Sequence, residues 1–384
     1  MFMFLLTAGA FVAMRERRTS AIVPWSAVVF AAVAMTRPEG IVAAAVTGLF
    51  VLDGVQGAPT RRQALLRAGA WAATFIALYG AYFLWRYTYY DSLFPNTYYA
   101  KTERTLAVYQ RGTDYLSGAV LSYHIVAALA GAALLSIVPT LRRDAAYVGL
   151  LASALLLAII PDGGDAFGHG RMIVPVLPLL YLAGISGFAA ALARLPLAAV
   201  QRGAAVSATL AIVALLLLRG SDHPHLAEVR QAQEDREALG LWLDEYAPQD
   251  FTIAAWAVGS VAYHSERDVL DLFGLTDAVI ARTEVAGFGT GIAGHERYNV
   301  DYVIETVRPE IIVTGDAVPA PLDSDDFWRV YGVSTTGLPA KAAVMSDPRL
   351  PEMYAVRAIE IDGRWFNFLQ REDTLAQLQA PGLR

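Results

Sequence analysis

Long apolar runs, separated by short polar segments, fill the first half of the chain. They lie near residues 2–14, 20–36, 40–53, 68–87, 117–138, 146–161, 171–193 and 203–219. A helix needs about 20 apolar residues to cross a bilayer, with a range of about 17–25, so several of these runs are short. The pattern predicts a multi-pass α-helical membrane domain over residues 1–219, with some helices tilted or only half-inserted.

From residue 220 onward the pattern changes to alternating helix and strand periodicities. The helical stretches are 228–247 and 294–307, the strand stretches include 310–315, and residues 252–274 read as strand, helix and strand. A terminal hairpin is predicted over 354–371, with its turn at Asp362-Gly363. Strands that alternate with helices form partly parallel sheets. Residues 220–384 are therefore predicted to be a soluble α/β domain with a partly parallel sheet.

Composition supports a lipid-embedded half and a soluble half. The chain is 55% hydrophobic and only 17% charged, whereas soluble domains carry about 25% charged residues. The acidic residues are concentrated after residue 220. The net charge of −6 gives no sign of a nucleic-acid partner. The absence of cysteine excludes disulfides, thiolate metal sites and cysteine nucleophiles.

Basic residues mark every second connection between the apolar runs. They are Arg15, Arg17, Arg18, Arg61, Arg62, Arg67, Arg142, Arg143, Arg194 and Arg202. The positive-inside rule makes these connections cytoplasmic, so the other loops and residues 220–384 face outward. The first run must then start outside. Either its boundary is misplaced or, as we favour, an odd number of helices precedes it in a longer chain.

The outward-facing loop TRPEG at 36–40 contains a charge at membrane depth. Thr36 is expected to cap the next helix, with Pro38 and Glu39 in its first turn. This arrangement does not account for Arg37, because charged residues at that depth usually face a cavity or a partner. Two alternatives stay open, a pair with Glu39 and contact with an anionic ligand.

The stretch YTYYDSLFPNTYYAKT at 87–102 follows an apolar run. Its tyrosines suit an interfacial aromatic belt, but the belt does not account for Asp91, Asn96 and Lys101. Lysine supplies a point charge for phosphate, and Asn96 and Tyr98 offer hydrogen bonds to a sugar. We therefore expect a substrate-binding loop at the lipid edge.

The loop PDGGDAFGHG at 161–170 and the arginine after it carry Asp162, Asp165, His169 and Arg171. The spacing is not a specific metal-ligand signature. We expect Asp165 and Arg171 to pair or to line a polar pocket. His124, inside the 117–138 run, is expected to hydrogen-bond between helices, although an intramembrane histidine can also be functional.

The segment GTGIAG at 289–294 matches the dinucleotide fingerprint, but no convincing strand precedes it. A flexible loop facing the membrane cavity fits better. Nearby, Asp271, Asp277, His295 and Glu296 are candidates for contact with an acceptor glycan. For each of them we favour a local role, with Asp277 capping a helix and His295-Glu296 in the first turn of a helix.

These segments resemble the GT-C superfamily of membrane glycosyltransferases, and most closely its terminal arabinofuranosyltransferase-like branch. The resemblance rests on TRPEG, DSLFPNTYYAKT at 91–102, GGDAFGHGRMIVPVLPLL at 163–180, DLFGLTD at 271–277 and GHE at 294–296. The order of these motifs matches the family's order, and the likeness covers most of the chain.

The resemblance implies an inverting transfer of a sugar from a polyprenyl-phosphate donor. A carboxylate would act as base and cations would stabilise the departing phosphate. It places Arg37, Lys101 and Arg171 on the phosphate side and Glu39, Asp91, Asn96 and Asp165 around the sugar. Asp91 and Asp165 are the candidate bases, and the use of a divalent cation stays open.

This chain departs from the family at one point, since the family's acidic pair in a first outer loop has no counterpart here. The expectation is an enzyme of a bacterial plasma membrane that glycosylates an envelope glycan or lipid, with this sequence a fragment of it. The alternative is a non-catalytic membrane protein that binds lipid-linked glycan. A transporter or flippase ranks last, because no internal repeat is visible.

Overall fold

The computed structural model describes residues 1–18, 23–53, 60–167, 170–195, 225–331 and 338–384, with the single positions 201, 203 and 207. The chain forms two compact units, one from Met1–Leu93 and Val108–Leu215, the other from Phe94–Ala107 and Leu216–Arg384. The second unit thus includes a segment that the sequence pattern assigned to the membrane domain. The predicted boundary at 219/220 lies outside the described residues.

The first unit is helical in its described part. Its helices are α1 (Phe2–Arg18), α2 (Trp25–Thr36), α3 (Gly40–Asp53), α4 (Arg61–Tyr90), α6 (Leu106–Ser122, whose first two residues belong to the second unit), α7 (Ile125–Leu134), α8 (Arg142–Leu157) and α9 (Leu177–Leu192). Buried apolar side chains such as Leu6, Phe30, Ile125 and Leu180 fill the space between them. Short 3₁₀ turns at Leu135–Ile137, Pro139–Leu141 and Val174–Val176 join or extend the helices.

Glycines let α7 and α9 approach closely. A Cβ atom added at Gly187 would lie 1.7 Å from the carbonyl oxygen of Gly131, and one at Gly131 would lie 2.6 Å from the carbonyl oxygen of Gly184. No side chain fits at such distances. Small residues at a helix–helix contact are typical of helices that pack in lipid, where close backbone approach supplies the attraction.

Two described helical stretches are long and apolar enough to cross a membrane, Arg62–Tyr90 and Val174–Leu192. A third crossing is available if Leu106–Ser122 and Ile125–Ile137, which bend by 69°, act as one span. The run predicted over 117–138 is therefore broken at His124, which caps α7 in the left-handed region at φ 51°. Apart from the single positions 203 and 207, the run predicted over 203–219 lies outside the described residues.

The second unit contains a five-stranded mixed sheet in the order β2-β1-β3-β5-β4. Its strands are β1 (Thr252–Ala255), β2 (Asp268–Asp271), β3 (Ile311–Val313), β4 (Tyr354–Ile361) and β5 (Arg364–Arg371). The first three strands are parallel, and the last two are antiparallel. The predicted partly parallel sheet and terminal hairpin are confirmed, with Asp362 at φ 52° and Gly363 at φ 76° in the turn.

Helices surround this sheet and pack on both of its faces, except that the helix Asn96–Lys101 packs on the helix Ala278–Arg282. They are α5 (Asn96–Lys101), α10 (His225–Tyr246), α11 (Val258–Ser265), α12 (Ala278–Arg282), α13 (Ser324–Tyr331), α14 (Pro339–Met345) and α15 (Leu350–Met353). α10 and α11 pack with Phe366 and Phe368 on one face, and α12 to α14 pack with Leu369 on the other. The helix predicted over 294–307 is wrong in extent, since a π-helical turn covers only Tyr302–Val307.

Candidate functional site

Asn96 ties the segment 94–107 to the α/β fold. Its Nδ2 donates to the backbone carbonyls of Gly274 at 2.8 Å, Leu275 at 3.3 Å and Asp277 at 3.0 Å. These carbonyls belong to the DLFGLTD stretch, which turns sharply at Gly274, φ 72°. Pro95 fixes the backbone before the residue that begins α5. The amide thus closes a loop whose carbonyl groups converge on one point.

Arg282 completes the contact from the other side of Asn96. Its Nη1 donates to Asn96 Oδ1 at 2.9 Å, and its guanidinium lies 4.2 Å from the ring centre of Tyr99. Arg282 occupies the last turn of α12. The hydrogen-bonding capacity of the Asn96 side chain is therefore directed to the protein. This gives Asn96 an anchoring role that the sequence did not indicate.

A second anchor lies further along the segment. Glu103 pairs with the buried Arg297 at 3.0 Å, and Thr105 Oγ1 donates to the carbonyl of Phe288 at 3.2 Å. Arg297 also stacks over the ring of Phe288 at 4.1 Å and donates to the carbonyl of Thr283. Buried charges are stable only when paired in this way. The segment is held at both ends.

Lys101 and Tyr98 lie between these two anchors. The Lys101 side chain passes so close to Gly294 that a Cβ there would lie 3.0 Å from Lys101 Cε. Tyr98 is 38% exposed and stacks on Phe94 at 4.5 Å. The ammonium group and the phenol share one short helix beside the GHE motif. A cation and exposed tyrosines are suited to phosphate and sugar recognition.

The two acids of DLFGLTD organise backbone groups. Asp271 is buried and accepts hydrogen bonds from the Phe273 and Thr276 amides, both at 2.9 Å. Burial raises the pKa of the Asp271 carboxyl, and these hydrogen bonds partly offset the shift. Asp277 caps α12 by accepting from the amides of Val279 and Ile280, which confirms the predicted cap.

Glu296 holds the glycine-rich loop GTGIAG in place. Its buried Oε1 accepts from the amides of Gly289 at 2.7 Å and Gly291 at 2.8 Å. The loop that was predicted to be flexible is therefore anchored at two of its amides. His295 packs edge-on against Phe273 at 4.2 Å. Neither residue lies in the first turn of a helix, because residues 295–299 are irregular. The prediction assumed that the Glu296 charge lies at the positive start of a helix. Its carboxylate instead accepts hydrogen bonds from loop amides.

In the first unit the TRPEG charges pair with each other. Arg37 Nη2 lies 2.6 Å from Glu39 Oε1, and the Arg37 guanidinium lies 5.5 Å from the ring centre of Phe2. Of the two alternatives for Arg37, the structure contains the ion pair with Glu39. The predicted Thr36 cap is wrong, because Thr36 ends α2 and donates to the carbonyl of Val33.

Asp165 and Arg171 form a bidentate pair, with both hydrogen bonds at 2.8 Å. The predicted pairing is confirmed. The Asp165 side chain is 1% exposed whereas the Arg171 side chain is 57% exposed, and the guanidinium also lies over the ring of Phe167 at 4.7 Å. A buried carboxylate is thus paired with a cation on a largely exposed side chain.

Asp91 ends α4 in the left-handed conformation, φ 46°, with its amide bonded to the carbonyl of Tyr87. No cluster of three or more acids or histidines suited to a metal occurs among the described residues, and His169 lies outside them. Asn96, Tyr98 and Lys101 belong to the second unit, and the other predicted site residues belong to the first: Arg37, Glu39, Asp91, Asp165 and Arg171.

Sequence reasoning missed four charged residues that position these loops. Arg282, Arg297 and Glu103 anchor the segment 94–107, and Arg111 Nε donates to the carbonyl of Gly163 at 2.9 Å. Glu103 and Arg297 each directly follow a motif, and Arg282 lies in the last turn of the helix that Asp277 caps. A search for opposite charges beside the motifs would have found Glu103 and Arg297.

Residues 225–366 are similar to a family described as a domain of unknown function (DUF8728). The match ends inside β5 and does not include the segment 94–107. No curated protein and no solved structure matches the chain.

Proposed function

We propose that the chain acts in a bacterial plasma membrane as a GT-C-like, inverting glycosyltransferase. It would move a sugar from a polyprenyl-phosphate donor to an envelope glycan or lipid on the outer face. The second unit would lie outside the cytoplasm.

The surface of α4 supports a membrane location. Leu65, Leu66, Ile76 and Leu84 are each more than half exposed on this 30-residue helix. Large exposed apolar surfaces mark contact with a membrane or a partner. The length of the helix suits a bilayer crossing.

The assembly of the motifs is the observation that carries the proposal. DSLFPNTYYAKT and DLFGLTD stand far apart in the sequence, yet Asn96 bonds three carbonyls of the second motif. Lys101 of the first motif also packs against Gly294 of GHE. A substrate site that draws on both motifs requires this arrangement.

The contacts suggest a role for each residue. Lys101 would hold the donor phosphate and Tyr98 would contact the sugar, while Asn96 and Arg282 keep α5 in position. Within the first unit, Asp91 and Asp165 are the candidate bases for the acceptor hydroxyl. Asp165 would have to exchange its hydrogen bonds with Arg171 for that purpose.

The pairing of the candidate groups also favours a second function. Asp165 is covered by Arg171, and Glu39 is bonded to Arg37. Carboxylates engaged in this way suit a protein that binds lipid-linked glycan without turnover. Donor binding with no transfer is the result that would distinguish this alternative.

The test is sugar transfer by the full chain in membranes, with a radiolabelled polyprenyl-phosphate sugar as donor. The variants Asp91→Asn and Asp165→Asn remove each candidate base, and we expect one of them to lower turnover by a hundredfold or more. Asp114→Asn alters an exposed acid on α6 and should leave turnover unchanged. Lys101→Met should weaken donor binding, and Lys101→Arg should retain it. The proposal fails if the parent chain neither binds donor nor transfers sugar.

A further inference from the structure

The parallel strands β1 and β3 end side by side in the middle of the sheet, with Ala255 opposite Val313. The chain leaves them toward opposite faces. α11 follows β1 and packs with α10, whereas α13 follows β3 and packs on the other face. In open α/β sheets, ligands bind at the carboxyl ends of strands that diverge in this way.

One row of side chains crosses the sheet at this point. Ala255, Val313 and Phe368 pair across β1, β3 and β5. The next row contains Trp256 after β1, Thr314 after β3 and Asn367 in β5. Neighbouring strands are about 4.8 Å apart. Trp256 packs in the same cluster as Leu369, and side chains two apart on a strand share a face. Asn367 therefore points to the face that Trp256 occupies.

Two buried donors in this row have no hydrogen-bond acceptor among the described residues. They are Nε1 of Trp256 and Nδ2 of Asn367. The two residues are 8% and 5% exposed. The orientation of the amide is fixed, because Asn367 Oδ1 accepts from the amide of Leu322 at 3.0 Å. Buried donors without acceptors are rare and call for an explanation.

Lys341 of α14 brings a cation to the same edge. A Cβ at Gly315, just after β3, would lie 3.7 Å from Lys341 Nζ, and Nζ lies 5.0 Å from the ring centre of Tyr331. Within the described chain, Nζ forms no hydrogen bond or ion pair. Burial lowers the pKa of Lys341 and the nearby Asp316 opposes that shift. The Asp316 carboxylate is itself bonded to Arg236 at 2.7 Å.

We propose that this edge of the sheet binds an oxyanion, the phosphate or carboxylate of a small ligand. The indole N–H, the amide N–H and the ammonium all donate, so the complementary group is rich in acceptors and negatively charged. Tyr331 and Thr314 form the wall beside it. The absence of a side chain at Gly315 lets a ligand approach the ammonium. The proposal goes beyond glycosyl transfer and does not depend on it.

Amine labelling can report directly on this site, because the sequence has two lysines, Lys101 and Lys341. The full chain in detergent is treated with a limiting amine-reactive ester, and labelling at Lys341 is followed by mass spectrometry. The probes are inorganic phosphate and acetate, each at constant ionic strength in chloride. Saturating anion should slow labelling of Lys341 about tenfold, and the anion that acts at the lower concentration identifies the ligand class.

Variants test whether the row of donors forms the site. Trp256→Phe and Asn367→Leu should each remove the protection of Lys341, whereas Lys101→Met should keep it. Direct binding of radiolabelled phosphate should be lost in Lys341→Met and kept in Lys341→Arg. Thermal unfolding checks that each variant is folded. The proposal is overturned if neither anion slows the labelling of Lys341, or if both donor variants retain full protection.

Discussion

Arg282 Nη1 donates to Asn96 Oδ1 at 2.9 Å, and so joins two residues that stand 186 positions apart. The same asparagine bonds three carbonyls of the loop that leads into α12. One amide side chain therefore connects a segment from the first third of the sequence to the loop after β2.

Replacement of Asn96 should loosen the segment 94–107. Asn96→Ala leaves Arg282 and three carbonyls without this partner, and each lost bond costs about 1 kcal/mol or more. We expect trypsin to cleave after Lys101 about tenfold faster, as measured by the peptides released. Thr97→Ala changes the exposed neighbour and should not alter the rate. Equal cleavage of the two variants would contradict the anchoring role.

Loss of the Glu296 carboxylate should open the glycine-rich loop. Glu296→Ala removes two charge-assisted hydrogen bonds to Gly289 and Gly291, each with a value of about 1.5–3 kcal/mol. Amide exchange of residues 287–294 should accelerate by about a hundredfold or more. Glu284→Gln, at an exposed position on the same stretch, serves as the control. Unchanged exchange in Glu296→Ala would mean that the loop is held by other contacts.

The contact between α7 and α9 should tolerate no methyl group at Gly187. A Cβ there would meet the carbonyl oxygen of Gly131 at 1.7 Å, so the helices would have to separate, at a cost of about 3 kcal/mol or more. Gly187→Ala should lower the detergent unfolding temperature. At Gly149 no atom lies within 4 Å of an added Cβ, so Gly149→Ala should be neutral or slightly stabilising.

Asp347 should contribute to stability against acid. Its carboxylate accepts from Arg349 Nε at 2.9 Å and Nη2 at 2.8 Å, and these bonds hold its pKa below the ordinary value of 3.8. Because the folded pKa is the lower one, the stabilisation is present above pH 3.8 and is lost as the pH falls through the folded pKa.

Acid titration of unfolding tests this linkage. Asp347→Asn should be less stable than the parent near neutral pH, and the difference should shrink below pH 3.8. Asp250→Asn, at an exposed acid before β1, controls for net charge. A constant difference between Asp347→Asn and the parent at all pH values would exclude the carboxylate as its source.

Much of the second unit was predictable from short sequence patterns, because the predicted features are decided by interactions between residues close together in the sequence. The short apolar runs of β1 and β3, the Asp362-Gly363 turn and the Asp277 cap each depend on residues within a few positions of one another. The helix predicted over 294–307 was wrong for the opposite reason. Glu296 bonds Gly289 and Gly291 before it, a choice decided by loop packing rather than by helical periodicity.

The pairing of Asp165 with Arg171 was predictable, because opposite charges six residues apart flank one turn. The role of Asn96 was not. Its partners Gly274, Leu275 and Asp277 offer backbone carbonyls, which carry no signal in a sequence of side chains. The bend at His124 was missed because the mostly apolar run around it gives no sign of its left-handed backbone.

The use of residues 94–107 by the second unit has a consequence for biosynthesis. At a translation rate of about 5–20 residues per second, the ribosome adds the 178 residues from Asn96 to Gly274 in roughly 10–40 s. Throughout that interval the segment exists without the loop that it binds. A chaperone or the lipid surface would have to shield its tyrosines, and a ribosome that stalled in this interval would release a chain that carries the segment without the loop that binds it.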